Sequence, residues 1–220
     1  MTKSNLELYF CRDSRALRPL WALEELGLDY KLVTMDFPPR VKFEGYREIN
    51  SLGTVPTLID GSLTMTESAA MCQYLVDRHA PQSSLSVKPT EQSYGEYLDW
   101  LFRSDATFTF PQAIFLRYEI YESPERLQPQ VAQDYIQWLF ARLRIVESAL
   151  VGNQYLCANR FTMADICVGY ALYLAMLLGF KKQMGDNTQA YLDRICQRDG
   201  FKRCLEKQAQ LEPIFPVQSI

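Results

Sequence analysis

Three short segments carry residue types that can do chemistry together. In Thr54-Val55-Pro56 a proline follows an apolar residue, and proline lowers the cost of a cis peptide bond to about 0.5–1 kcal/mol. In cis, the bend would turn the N–H and C=O of Val55 outward, where an extended peptide can pair with them as an added strand. In trans, the same proline would simply open a strand. Thr66-Glu67-Ser68 stands at the expected start of a helix. The first amides of a helix lack intrahelical partners and the dipole is positive there, so this end suits a carboxylate, with the Ser68 hydroxyl as a further donor. Glu67 can accept from an ammonium group, and the pair fits an amino-acid head group carrying both charges. The plainer reading is a helix capped by Thr66. In Cys11-Arg-Asp-Ser14-Arg15 a thiol and a hydroxyl stand before a helix. Either can hold or donate to a bound thiolate, because the helix end favours negative charge. Ser14 is placed for that, with N-capping as its alternative. Cys11 is the rival, with burial as a small apolar residue as its alternative.

The elements that must position these segments follow from periodicity. Leu6–Cys11 reads as an opening strand. A helix follows with Ala16, Leu20, Leu23 and Leu26 on one face, capped by Asp13 and Ser14 at its start and by Gly27 at its end. Tyr30–Thr34 gives a second strand and Phe43–Ile49 a weak helix. Pro56–Asp60 and Ser62–Met65 flank an Asp-Gly step, a hairpin signal. A helix over Glu67–His79 closes the order β-α-β-α-β-β-α, with a parallel pair from the strand–helix–strand unit and an antiparallel edge from the hairpin. Ala80–Pro89, rich in Pro and Ser, reads as a linker.

Beyond it only helices are expected. Tyr94, Tyr97, Leu98, Leu101 and Phe102 share one face, and Pro111 should kink or interrupt that element. Val131 to Leu150 marks a second long helix. Thr162-Met-Ala-Asp165 is a capping box, with Phe161 and Ile166 at the hydrophobic-staple positions. Two shorter helices, near 188–197 and 201–208, end the chain. The reading is therefore an α+β domain over 1–80, a linker over 81–89 and an all-helical domain over 90–220.

Composition narrows the function classes. The 220 residues suit two small domains, and 48% hydrophobic content allows a substantial core. A net charge of −3 without a long block of one sign argues against nucleic acid or an anionic membrane as partner. The uncharged run Ile166–Phe180 is shorter than the ~20 residues a membrane span needs, so a buried core helix is expected. The six cysteines form no C-x-x-C pair and there is one histidine, so zinc-ligand spacing is absent and no metal is expected. Scattered cysteines read as reduced thiols in the cytoplasm, and Met1–Asn5 does not resemble a signal peptide.

Leu8-Tyr-Phe-Cys-Arg-Asp-Ser-Arg-Ala-Leu-Arg18 and Trp21-Ala-Leu-Glu-Glu-Leu-Gly27 resemble the glutathione S-transferase N-terminus. So do Asn50-Ser-Leu-Gly-Thr-Val-Pro-Thr-Leu58, Asp60-Gly61 and Thr66-Glu-Ser-Ala-Ala70. Asn159-Arg-Phe-Thr-Met-Ala-Asp165 is similar to the family's capping-box signature. The resemblance implies a thioredoxin-like first domain, an all-helical second domain, and glutathione as cosubstrate. Val55 would pair its backbone with the cysteinyl part of glutathione, and Glu67 and Ser68 would hold the γ-glutamyl head. Ser14 aligns with the thiolate-stabilising serine of theta-like and zeta-like members. Such members usually carry a basic residue just before the Val-Pro; here it is Thr54, so the glycine carboxylate falls to Arg40 or Lys42, with Arg40 preferred. Arg15 stands where beta-class members place a cysteine.

The resemblance further implies a homodimer and a small hydrophobic electrophile, expected in a pocket between the domains that Phe108, Phe110, Phe115 and Tyr118 would line. Core or dimer-interface packing is the alternative for those rings. The leading reading is a transferase that conjugates glutathione to an apolar electrophile. The alternatives are a glutathione-dependent disulfide reductase using Cys11, a maleylacetoacetate-type isomerase, and a non-catalytic binding or regulatory protein that keeps the fold.

Overall fold

The computed structural model describes residues 5–216; most of the run Met1–Asn5 therefore lies outside the described residues. Two compact units emerge. One comprises the described residues up to Ser86 together with Cys196–Pro216, and the other spans 87–195 in the described chain. A single boundary at the 81–89 linker would have left the C-terminal segment with the helical domain. Instead that segment belongs to the first unit, because its amphipathic helix has its apolar partners there.

In the first unit, β1 (Leu6–Phe10), α1 (Leu17–Leu26) and β2 (Lys31–Thr34) form the parallel strand–helix–strand unit. Of the stretch Phe43–Ile49 read as a weak helix, only α3 (Tyr46–Ile49) is helical, starting from Gly45 at φ 74, and a further short helix, α2 (Pro39–Lys42), precedes it where none was expected. β3 (Thr57–Asp60) and β4 (Leu63–Met65) make the hairpin, turning at Gly61 with φ 60. The sheet order is β2-β1-β3-β4, with β3 antiparallel to both of its neighbours. α4 (Ser68–His79) packs beside α1.

α1 buries most of its surface: Leu17, Leu20, Trp21, Ala22 and Leu23 are inaccessible, and so is Arg18. It ends at Gly27, whose left-handed φ of 62 lets its N–H reach Leu23 C=O. Its other neighbour is α10 (Asp199–Gln208). Phe201 lies 4.7 Å from the Trp21 ring, Arg198 binds Glu25 through both ends of its guanidinium, and Arg203 pairs with Glu24. Gly200 lies close beneath this ion pair, since a Cβ there would lie 2.7 Å from Glu25 Oε1 and displace that side chain.

The second unit is helical throughout among its described residues. α5 (Tyr94–Arg103) runs into a π-helical stretch at Ser104–Thr109, then α6 (Phe110–Leu116), then a second π stretch at Arg117–Tyr121. The first wide turn meets Pro111, whose ring has no N–H to give and crowds the preceding turn. Side chains bond back to carbonyls along this stretch: Thr109 Oγ1 donates to Ser104 C=O at 2.7 Å and Ser104 Oγ to Leu101 C=O at 2.6 Å.

α7 (Pro129–Ala149) and α8 (Met163–Leu177) follow, and α9 (Asp186–Cys196) runs to the unit boundary. α8 begins with the expected capping box, Thr162 N–H donating to Asp165 Oδ2 at 2.8 Å, and is buried along nearly its whole length. No helix among the described residues is long and apolar enough to cross a membrane.

Candidate functional site

The β1–α1 segment is the common anchor of the three chemical segments. Cys11 lies in an apolar cluster with Tyr9, Met35 and Tyr46, against which Val55 and Ile214 pack. Seven residues further on, Arg18 Nη1 donates to Ser68 Oγ at 2.9 Å. The fold thus brings the neighbourhoods of Ser14, Val55 and Ser68 onto one short stretch of chain.

Val55–Pro56 is a cis bond. Among the described residues, neither the N–H nor the C=O of Val55 is paired. The segment is held from behind by a buried polar network. Tyr46 Oη donates to Thr54 C=O at 2.6 Å, and Asn50 Nδ2 donates both to that carbonyl and to Thr57 Oγ1, each at 2.9 Å. Thr57 Oγ1 lies 2.8 Å from Tyr46 Oη. Burial raises the Tyr46 hydroxyl above its ordinary range, so it stays protonated and donating.

α4 starts with open amides. Glu67 is its N-cap residue in extended conformation, no side chain caps it, and its first recorded backbone bond is Met71 N–H to Glu67 C=O at 2.9 Å. The N–H groups of Ser68, Ala69 and Ala70 therefore have no protein partner among the described residues. Capping by Thr66, the plainer expectation, does not occur. Glu67 is exposed, whereas Ser68 is buried over Arg18. The guanidinium occupies an acceptor position on the Ser68 oxygen and leaves the hydroxyl proton free to donate. It also adds a fixed positive charge beneath the helix end.

Sequence reasoning assigned Arg18 no role. Its signal was a lone cation among apolar neighbours at the start of α1, which a solvent-facing arginine would give equally.

Ser14 is nearly inaccessible, at 4%. Its Oγ donates to Cys11 C=O at 2.7 Å and accepts from Ala16 N–H at 3.2 Å. It therefore closes the turn ahead of α1 instead of capping the helix, whose N-cap residue is Ala16 with no side-chain bond, and its single proton must rotate off Cys11 C=O to meet a thiolate. Asp13 does not cap the helix either; it sits at φ 55 and bonds Gln208. The Cys11 thiol is wholly buried, and burial, with the nearby negative charge of Asp36, pushes its pKa up to about 12. A thiol so raised is protonated at neutral pH and is a poor nucleophile.

Arg40 is exposed on α2, and its stem lies against Gly53, where a Cβ would come within 2.8 Å of Arg40 Cβ. Gly53 also has φ 62, so both space and backbone require glycine there. Arg40 accordingly flanks the Thr54–Val55 segment.

The aromatic quartet divides. Phe108 is buried and stacked on Trp100, and Phe115 meets Phe180 edge-on at 5.3 Å. Phe108 is a core residue; Phe110, at 44% exposure, and Tyr118, partly buried, keep accessible surface.

The open helix end, the unpaired Val55 backbone and the ordering of these parts along the chain coincide with a sequence match. Residues 8–83 match the glutathione S-transferase N-terminal domain and residues 110–199 the glutathione S-transferase C-terminal domain. The chain belongs to the glutathione S-transferase family. The family is one of enzymes, and the fold agrees with it throughout.

Among curated relatives, glutathione S-transferase 3 of Schizosaccharomyces pombe is 24% identical, covering 91% of this chain and 86% of its own. Glutathione S-transferase GstA of Escherichia coli O157:H7 is 27% identical over 92% of this chain and 98% of its own. Among solved structures, a glutathione transferase of Methylococcus capsulatus superposes with a TM-score of 0.80 at 25% identity, covering 94% of this chain and all of its own. The glutathione transferase URE2P8 of Phanerochaete chrysosporium, solved with oxidized glutathione, gives 0.82 at 21% identity, over 94% of this chain and 96% of its own.

Proposed function

We propose that this glutathione S-transferase binds glutathione, holds it as the thiolate beside Ser14, and conjugates it to an apolar electrophile. The observation that carries the reading is the uncapped start of α4. Three amides and the Ser68 hydroxyl, backed by the buried Arg18, form a seat for the γ-glutamyl carboxylate, and Glu67 stands ready for its ammonium group. Val55 supplies an unpaired N–H and C=O for the cysteinyl part. Arg40, beside Gly53, takes the glycine carboxylate.

Free glutathione is a thiol with pKa near ~8.5, so only a few per cent is ionised at neutral pH. Lowering that pKa by about two units requires about 2.7 kcal/mol of preference for the anion. One charge-assisted hydrogen bond from Ser14 together with the amino end of α1 supplies that order of energy. The thiolate then attacks the electrophilic carbon. The protein contributes a desolvated nucleophile and proximity, without a covalent enzyme intermediate. Within the helical unit, the exposed ring of Phe110 and the partly buried ring of Tyr118 suit an apolar acceptor.

The deep burial of the Cys11 thiol and its raised pKa weigh against a reductase working through that residue. The open α4 amides weigh against a non-catalytic member that has lost its ligand. The protein is read as a cytoplasmic homodimer, which sedimentation analysis would check.

The deciding experiment is thiolate absorbance of bound glutathione across pH, in wild type, Ser14→Ala and Cys11→Ser. Ser14→Ala should raise the apparent thiol pKa toward the free value while Cys11→Ser leaves it in place. An unchanged pKa in Ser14→Ala removes Ser14 from the role. Loss of disulfide-reductase activity in Cys11→Ser, with conjugation intact, would favour the thiol reading.

A further inference from the structure

Asp13, the residue before Ser14, is one of the few non-glycine residues with positive φ, at 55°. A side chain with a Cβ disfavours this left-handed conformation, less so for aspartate than for most residues, and surrounding structure holds it there. That structure is Gln208, the last residue of α10, 195 positions away. Its Oε1 accepts from Asp13 N–H at 3.2 Å, and its Nε2 donates to Asp13 Oδ1 at 2.8 Å. Both residues are nearly inaccessible, at 2% and 3%. Arg12 completes a ring: its Nε donates to Asp13 Oδ2 at 3.1 Å and its Nη1 to Leu211 C=O at 2.7 Å, while Leu211 N–H donates to Gln208 C=O at 3.0 Å.

We propose that Gln208 is a positioning residue for the transferase reaction. Its amide clamps Asp13 in the left-handed conformation and so fixes the Cys11–Ser14 turn that aims the Ser14 hydroxyl at the glutathione sulfur. The inference rests on the reading of Ser14 given above.

Only an amide side chain fits both bonds, since it offers one acceptor and one donor from the same group. A carboxylate keeps the acceptor for Asp13 N–H but sets a lone pair against Asp13 Oδ1. An alanine loses both bonds. The clamp acts on the residue adjoining Ser14 and on no residue assigned to the γ-glutamyl, cysteinyl or glycine parts of glutathione. Its loss should therefore reach the chemical step and spare binding.

The test uses Gln208→Ala, Gln208→Glu and the double variant Asp13→Gly with Gln208→Ala in the full-length protein. Three readouts are taken: hydrogen–deuterium exchange of residues 9–16, steady-state kinetics with glutathione and 1-chloro-2,4-dinitrobenzene, and the pH titration of bound-glutathione thiolate. Both single variants should speed exchange in 9–16. They should lower kcat about tenfold or more, the scale of a misplaced catalytic group, and raise the bound thiol pKa. The KM for glutathione should stay within about twofold. Gln208→Glu should be at least as impaired as Gln208→Ala, which a purely space-filling role would not produce. Glycine adopts φ near 55° without a clamp, so the double variant should regain most of the kcat lost in Gln208→Ala, and it also serves if the single alanine variant folds poorly.

Unchanged kcat and thiol pKa in folded single variants, or no recovery in the double variant, overturns the proposal. If wild type itself holds no glutathione thiolate, the Ser14 reading fails and takes this one with it. If wild type holds the thiolate and the variants match it, the clamp alone is refuted.

Discussion

Arg18 on α1 and Ser68 at the start of α4 meet through a 2.9 Å hydrogen bond, both of them buried, fifty residues apart in sequence. The contact places a permanent cation under a helix end whose first three amides have no protein partner among the described residues. It also fixes the Ser68 oxygen as acceptor, so that the hydroxyl proton faces away from the guanidinium. Ser68→Ala should weaken glutathione binding about tenfold, the effect of losing one hydrogen bond to a charged group. It should also destabilise the fold by about 1–3 kcal/mol, because a buried guanidinium loses a partner. Calorimetric titration with glutathione and urea unfolding measure the two effects. Equal affinity in the variant would remove Ser68 from the binding site.

Asn50 ties the Thr54 carbonyl to Thr57 and so stiffens the chain just before Val55. Asn50→Leu leaves buried oxygens short of a donor and should cost about 1–3 kcal/mol, read as a lower urea midpoint at constant m-value. The Kd for glutathione should rise as well, since Val55 offers its backbone groups from a less fixed loop. A destabilised variant with wild-type affinity would show that the network supports the fold alone.

Arg40 is exposed, so the ion pair proposed between it and the glycine carboxylate would be worth no more than about 1 kcal/mol. Arg40→Ala should raise the Kd for glutathione about fivefold at low salt. The gap should narrow as ionic strength rises, because exposed pairs are screened. γ-Glutamylcysteine, which lacks the glycine carboxylate, should bind both proteins alike; a loss of affinity for it in the variant would place Arg40 elsewhere.

Glu147 of α7 caps α9, accepting from the backbone N–H of Asn187 and Thr188, the Asn187 amide and the Thr188 hydroxyl, between 2.7 and 3.1 Å. Burial by itself would raise its pKa, yet these donors hold it below the usual glutamate value of 4.5. The unfolded chain therefore binds the proton more readily. Stability from this group is fully present above the unfolded value and is lost as pH falls through the depressed folded one. Glu147→Gln should lower stability by about 1 kcal/mol at neutral pH, and its deficit should shrink as pH drops below about 4.5. Thermal unfolding from pH 3 to 7 tests this; parallel curves for the two proteins would discount the cap.

Much of the local architecture was legible from short stretches of chain. The Thr162–Asp165 capping box, the Gly27 helix stop and the Asp60–Gly61 hairpin involve partners within a few residues, so their chemistry is written contiguously. The order of the strands and longer helices followed for the same reason. The weak helix expected over 43–49 shrinks to α3 because Gly45, in the left-handed region, starts the helix there, and the single turn of α2 is too short to leave a periodic signal.

Tertiary structure alone decided which polar side chains turn inward. Arg18, Asn50 and Gln208 are of types that usually face water, and nothing near them in sequence marks them as buried. Their partners Ser68, Thr57 and Asp13 come from other elements. The same holds for Cys196–Pro216, whose helix α10 has an apolar face that could have served either unit until Trp21, Glu24 and Glu25 were brought opposite it. Sequence periodicity specifies that a face is apolar, whereas the identity of its partner depends on which other surface is left to cover. The chain by itself determined the strands and longer helices, the Thr162–Asp165 and Gly27 caps and the family; the packing determined which of its polar groups are buried and what they bond.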